Sequence, residues 1–316
     1  MSGLKLSVQH LSYRYQATKA LTDINFEATG PETLGLVGHN GSGKSTLLKI
    51  LQGVHAAPTG HIKLNDQPAQ DRHGLMLLSV RSSIGILFQD HSSDDKLSAK
   101  DNLTYAGYLH GLRGTRLKNC VEQTLAWAGL CERQSEPLKK YSQGMRRKLE
   151  LYRTFMHEPR LVLLDEPTAG LDFHEVKKFY DFLSDYQKKF QALTILSSHH
   201  AQEADFWDTA MLLSQGKIIA LGPVSQILKN CDYSRLDISL KSPQEIASFN
   251  ALGFRFIKNP HPSHAGFSYT ANLHQDELAQ FLSTEHLLNK TSAVSINPLS
   301  IAEAYEIKQA GGHNHV

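Results

Sequence analysis

Leu4, Leu6 and Val8 alternate with Lys5, Ser7 and Gln9, which predicts a half-buried strand from Leu4 to Leu11. Ser12-Tyr13-Arg14-Tyr15 reads as a turn. Alternation resumes from Ala20 to Ala28 through Leu21, Ile24 and Phe26, as an antiparallel partner strand that Gly30-Pro31 punctuates. The pattern then changes. Leu34 to Val37, Ser83 to Phe88 and Leu161 to Leu164 are short and largely apolar without alternation, and Ala192 to Leu196 reads as the next buried strand. Such runs predict strands buried on both faces, hence a parallel sheet. His61 to Leu64 is a further short strand after Pro58-Thr59-Gly60. From Ser98 to about Glu158 the period lengthens to that of helices, with Leu103, Ala106, Gly107 and Leu109 in one and Val121, Leu125 and Ala128 in the next. A third opens at Ser142. These helices interrupt the strand series without strands of their own, so they form a helical subdomain inserted into an α/β core. Phe173 to Phe190 is an amphipathic helix. Met211 to Leu213 and Lys217 to Leu221 close the series around Gln215-Gly216, and Pro223 to Leu228 is a short helix.

The rhythm changes again near Asn230-Cys231-Asp232. Beyond it come short alternations at Leu236 to Leu240, Phe254 to Ile257 and Gly266 to Tyr269, with helix-like stretches at Pro243 to Leu252, Gln275 to Leu282 and Pro298 to Gln309. The expected organisation is one large domain over residues 1–230, its helical insert at about 95–158, and a small α+β domain over 231–316.

The chemistry concentrates where strands end. Gly38-His39-Asn40-Gly41-Ser42-Gly43-Lys44-Ser45-Thr46 joins the strand ending at Val37 to the helix-forming run Leu47 to Leu51, and the spacing G-x-x-x-x-G-K-S is complete. Glycines let successive N–H groups turn inward, and that nest plus a helix N-terminus favours an anion. Lys44 would reach the β- and γ-phosphates of a nucleotide, and Ser45 would offer its hydroxyl to Mg²⁺. Leu161 to Leu164 ends in Asp165-Glu166, at the end of a buried strand where ligands of open sheets bind. Asp165 would hold Mg²⁺ through water and Glu166 would polarise an attacking water. Gln89 follows another buried strand; its amide could bind a metal ion or orient a water, or simply be solvated. Among 17 histidines only position raises His199, at the end of Ala192 to Leu196, where it could donate to a γ-phosphate oxygen. Tyr13 or Tyr15 offers a flat surface to a purine, or either packs on a strand edge. The tail Gly312-His313-Asn314-His315 reads as a frayed terminus rather than a metal site.

Composition narrows the classes. The chain has 316 residues, 41% apolar and 20% charged, a globular balance. A net charge of +2 is too small to argue for nucleic acid as a partner, and none is expected. No run approaches the roughly 18 apolar residues of a membrane span, and Met1 to Val8 lacks a cleavable leader. Cys120, Cys131 and Cys231 have no C-x-x-C spacing and read as free thiols in a reducing compartment.

From Leu4 to about Lys229 these motifs, in this order, resemble the nucleotide-binding subunit of an ABC transporter. Tyr15 matches the adenine-stacking aromatic, Gly38 to Thr46 the Walker A loop, Gln89 the Q-loop, Asp165 and Glu166 the Walker B acid and catalytic glutamate, Ala169 to Asp172 the D-loop, and His199 the switch histidine. Tyr141-Ser142-Gln143-Gly144-Met145 is similar to the signature Leu-Ser-Gly-Gly-Gln, differing at three of five places. The resemblance implies a P-loop NTPase core with a parallel sheet, an N-terminal antiparallel β subdomain and the helical insert. It also implies two ATP molecules sandwiched in a head-to-tail homodimer or a heterodimer with a related ATPase. Gly38, Asn40, Gly41, Ser42, Gly43, Lys44, Ser45 and Thr46 of one chain would face Ser142, Gln143 and Gly144 of the other. Mg²⁺ would lie among Ser45, Gln89 and Asp165. An integral-membrane permease would be the partner, with the chain peripheral on the cytoplasmic face. Met145-Arg146-Arg147-Lys148 and Pro298 to Tyr305 are similar to the type-2 exporter branch, which implies export. Import, or a soluble non-transport ABC ATPase, is the alternative; a nucleotide switch that barely hydrolyses fits poorly with Glu166.

Overall fold

The computed structural model describes residues 3–57, 59–89, 92–198, 201–240, 242–250, 256–258, 267–284, 288 and 291–311. The chain divides into two compact units, Met1–Pro223 and Val224–Val316.

The first unit holds two sheets. In the antiparallel one, β1 (Lys5–Tyr15) lies between β2 (Thr18–Thr29) and β4 (Thr59–Leu64), with β5 (Gln67–Pro68) at one edge. Ser12 to Tyr15 continue β1 instead of turning. Irregularities between Val8 and Leu11, and again up to Arg14, break the alternation while pairing with β2 goes on to Tyr15 and Thr18. The larger sheet has the order β10-β9-β3-β8-β7-β6, from β3 (Glu32–Val37), β6 (Ile84–Leu87), β7 (Leu161–Asp165), β8 (Leu193–Ser197), β9 (Thr209–Ser214) and β10 (Lys217–Pro223). Its pairs are parallel except β10 with β9. β7 and β8 are buried at every residue, including the polar Asp165, Thr194 and Ser197, as strands covered on both faces are.

One core joins the sheets through α1 (Lys44–Leu51). Leu47, Leu48 and Leu51 cluster with Leu6, Leu11, Leu21 and Ile24 of the antiparallel sheet and with Leu34, Leu36, Leu163 and Ile195 of the parallel one. After the short α2 (Leu78–Arg81) and β6 come α3 (Ala99–Leu109), α4 (Gly114–Ala128) and α5 (Gln143–Arg153), with a core of their own formed by Leu103, Leu117, Val121, Leu125, Leu149 and Tyr152. α6 (Phe173–Phe190) connects β7 to β8.

The second unit begins with α7 (Val224–Lys229), which the sequence reading attached to the first domain. Leu228 packs on Cys231, Leu299 and Ala304, the last from α10 (Ile301–Gly311). The rest is an antiparallel sheet, β12-β13-β11-β14, made of β11 (Tyr233–Leu240), β12 (Ile257–Lys258), β13 (Phe267–His274) and β14 (Thr291–Asn297). Leu236, Ile238 and Leu240 face Phe249 of α8 (Ile246–Asn250) and Phe281 of α9 (Gln275–Ser283).

Candidate nucleotide site

Register sets the site. Leu36 of β3 and Asp165 of β7 both pair with Ser197 of β8, so three parallel strands end level with one another. The phosphate loop leaves the first of them. Gly41 and Gly43 take φ of 81° and 112°, a region that L side chains avoid, and Gly43 then starts α1 with no side-chain cap. The first N–H groups of α1 therefore open toward the loop's concave side, at the positive end of the helix dipole. Ser42 Oγ is buried without a partner, a polar atom inside the loop that is ready for a ligand.

Lys44 is buried at the base of this loop. Its ammonium donates to the carbonyls of Gly38 and, at 3.2 Å, His39. Burial pushes its pKa down, while the carboxylates of Glu166 and Asp165 oppose that shift. The lysine thus has two acids in electrostatic reach and a loop carbonyl cage that a phosphate can replace.

Asp165 is buried and accepts from Ser197 Oγ at 2.6 Å. Ser197 Oγ in turn accepts from the Glu166 N–H at 3.0 Å. Glu166 sits at φ 49°, left-handed for a non-glycine residue, and this is what turns the chain off the strand so that its partly exposed side chain faces the cleft. Sequence reasoning gave Ser197 no role, although it lies in Ser197-Ser198-His199-His200; only the strand register shows that it bridges both acids.

Tyr15, Gly41, Lys44, Ser45, Gln89 and Glu166 line one open cleft of about 550 Å³. Gly38, where the loop leaves β3, is not among the described lining residues; a side chain there would strike Leu213 O and Ser42 Oγ at 2.4 Å. Asn40, Ser42, Gly43 and Thr46 line the cleft too, as do Thr18, Lys19, Ala20 and His39, which the sequence reading did not single out. The Tyr15 ring meets Tyr13 edge-on at 5.0 Å and its hydroxyl bonds His55 Nε2 at 2.9 Å, so the ring is fixed at the cleft mouth. His199 and the His-containing tail lie outside the described residues.

The signature segment occupies another place. Ser142 caps α5, its Oγ accepting from the Met145 N–H at 3.2 Å, and none of Ser142, Gln143 and Gly144 is among the described residues lining the cleft. Both Ser142 and Gln143 are exposed. The nearest atom to a side chain built on Gly144 is Gly170 O, 3.7 Å away, in the loop after Glu166.

A glycine loop between β3 and α1, acids at the end of β7 and a helical insert after β6 together define a P-loop ATPase. Residues 21–169 match the family model described as ABC transporter, and this first unit belongs to that family. The chain is 29% identical over 251 residues to the energy-coupling factor transporter ATP-binding protein EcfA2 of Clostridioides difficile (strain 630), covering 76% of this chain and 86% of the relative. It is 28% identical over 250 residues to the Nod factor export ATP-binding protein I of Rhizobium sp. (strain N33), covering 78% and 81%. The solved structure of cbiO1 from Clostridium perfringens, part of the ABC transporter complex cbiONQ, superposes with a TM-score of 0.62 at 26% identity over 72% of this chain and 94% of that one. The chain is an ATP-binding subunit and an ATPase. No helix among the described residues is long and apolar enough to cross a membrane.

Proposed function

We propose that the chain powers export through a separate integral-membrane permease, on whose cytoplasmic face it sits, working as an ATP-sandwich dimer. The carrying observation is the single cleft shared by the phosphate loop, Gln89, Glu166 and Tyr15, from which the same chain's signature is missing. Adenine stacks on Tyr15. The loop N–H groups and Lys44 hold the phosphates. Glu166 takes the proton of the attacking water, which Gln89 and His199 orient. Ser142, Gln143 and Gly144 of the second copy close the site over the γ-phosphate. The donor set of Ser45 hydroxyl, Gln89 amide oxygen and Asp165 carboxylate is all oxygen and suits Mg²⁺. When bound, that ion would supply positive charge to offset the negative charge of the phosphates. The run Met145 to Lys148 and the likeness to a Nod factor export protein support export over import; the likeness to an energy-coupling factor protein supports the second reading.

The test pairs two variants. Lys44→Ala is expected to lose ATP binding by equilibrium titration; normal binding would remove the phosphate-loop assignment. Glu166→Gln is expected to bind ATP, turn over negligibly and elute as a dimer only with ATP and Mg²⁺. A monomer that still binds nucleotide would refute the sandwich. With the permease in inside-out vesicles, ATP-driven accumulation supports export, and accumulation only in right-side-out vesicles reverses the direction.

A further inference from the structure

Arg147 lies on α5 within two turns of Ser142 and, unlike Ser142 and Gln143, is buried. Its guanidinium meets backbone carbonyls from two other segments. Nη1 donates to Phe88 O at 3.1 Å, and Nη2 donates to Asp165 O at 2.9 Å and to Glu166 O. Phe88 immediately precedes Gln89. One planar fork therefore holds the residue before Gln89 and the turn that carries Glu166, and ties both to the signature helix.

Such a placement is costly. Burial pushes the Arg147 pKa down, and the negative charges of Glu150, Glu166 and Asp165 offset that only through space. A buried cation bonded to carbonyls contributes little to packing that an apolar side chain would not. It does fix geometry. The Glu166 backbone is gripped from both sides, its N–H by Ser197 Oγ at 3.0 Å and its C=O by Arg147, at a left-handed φ of 49° that a free turn would relax. Holding the peptide on either side of one Cα sets where its carboxylate points. Glu150, one turn further along α5, accepts from the N–H groups of Ser92 and Ser93 at 2.8 and 3.1 Å, so the same helix also anchors the chain shortly after Gln89.

We propose that Arg147 is a positioning residue that aims Glu166 and the Gln89 segment at the attacking water and makes their alignment depend on the signature helix. The proposal rests on the reading of Glu166 as the general base. A shift of α5 as Ser142 and Gly144 clasp nucleotide on the partner moves the guanidinium, and with it the base of this chain's own site.

Arg147→Lys keeps the charge but cannot reach all three carbonyls at once; Arg147→Gln keeps a single donor nitrogen without the charge and serves if the lysine variant does not fold. In the full chain, kcat is expected to fall at least about tenfold, because small misplacements of a catalytic group cost that much or more. KM for ATP and the melting temperature should hold. In an Arg147→Lys, Glu166→Gln double variant the residual turnover should equal that of Glu166→Gln alone, because a residue acting through Glu166 has nothing left to act through. An unchanged kcat, a parallel loss of kcat, ATP affinity and melting temperature, or an additive loss in the double variant would each overturn the proposal. If Glu166→Gln alone leaves turnover intact, the general-base reading fails instead, and the two failures are distinguishable.

Discussion

Two helices in this chain begin beside a glycine and are read as phosphate binders, and they are capped in opposite ways. α1 starts from a left-handed Gly43 with no side-chain cap. α5 starts from Ser142, which spends its hydroxyl on the Met145 N–H. Four N–H groups at any helix start lack intrahelical partners. α1 leaves that deficit to a ligand, and the buried, unpartnered Ser42 Oγ adds to it. α5 meets part of the deficit itself. The phosphate loop is thus built for a ligand to complete, whereas the signature is capped by itself and, in the proposed dimer, would take a phosphate as an extra partner. That asymmetry suits an order in which each chain loads ATP first and a second copy closes over it.

The largest expected effect tests the first half of the comparison. Gly43→Ala would put a Cβ 2.7 Å from Leu21 Cδ2 and 2.9 Å from Ala20 O, at φ 112°. Gly41→Ala, at φ 81°, would meet nothing within 4 Å. Left-handed backbone costs an L residue about 1–2 kcal/mol, and Gly41→Ala should lose ATP affinity by no more than that. Gly43→Ala carries the clash as well and should weaken ATP binding by about a hundredfold or more, roughly 2.8 kcal/mol. Calorimetric titration of both variants decides it, and equal losses would show that packing against the antiparallel sheet does not shape the loop.

Ser142 tests the second half. Ser142→Ala should cost about 1 kcal/mol of stability, the ordinary worth of such a cap. ATP binding to the separate chain should stay within about twofold, while ATP-driven dimerisation and turnover fall at least about tenfold, the loss of one charge-assisted hydrogen bond. Ser142→Asp separates cap from ligand. Aspartate caps as well as serine, so stability returns, but its charge opposes the γ-phosphate and the dimer does not. Recovery of the dimer in Ser142→Asp would show that Ser142 acts by capping alone.

What could be read from the sequence follows from which signals are local. The phosphate loop, the acids after Leu164 and the buried strands were legible because each rests on neighbouring residues of one element. The continuation of β1 through Tyr15 was not, because irregular pairing breaks the period of two on which a strand is recognised. β14 was missed for a related reason. Thr291–Asn297 is mostly exposed, with only Val294 and Ile296 as larger apolar positions, and the pairing with β11 that makes it a strand lies outside its own residues. Arg147 and Ser197 were beyond reach in a stricter sense. Arg147 bonds carbonyls 59, 18 and 19 positions away, and backbone carbonyls leave no mark in the sequence. Ser142 is not among the described residues that line the phosphate-loop cleft, a separation that only the folded chain can show.

The smallest effect is expected at Gln143, where the signature departs most visibly from Leu-Ser-Gly-Gly-Gln. Gln143 is the first residue of α5 and is exposed. Helical Cβ atoms lean toward the N-terminus, so its side chain overhangs the helix end where a phosphate would sit. Two consequences oppose each other. The side chain obstructs close approach to the backbone N–H groups, yet its amide can donate to a phosphate oxygen in their stead. Gln143→Gly removes both, and its helix cost of at most about 1 kcal/mol falls on the separate chain and the dimer alike. The ATP-dependent dimer should therefore change in affinity by no more than about threefold, under about 0.7 kcal/mol. Analytical ultracentrifugation of the Glu166→Gln background with and without Gln143→Gly measures it. A tightening beyond about tenfold would mean that the side chain acts mainly as an obstruction, and an equal weakening that its amide replaces the missing glycine as a ligand.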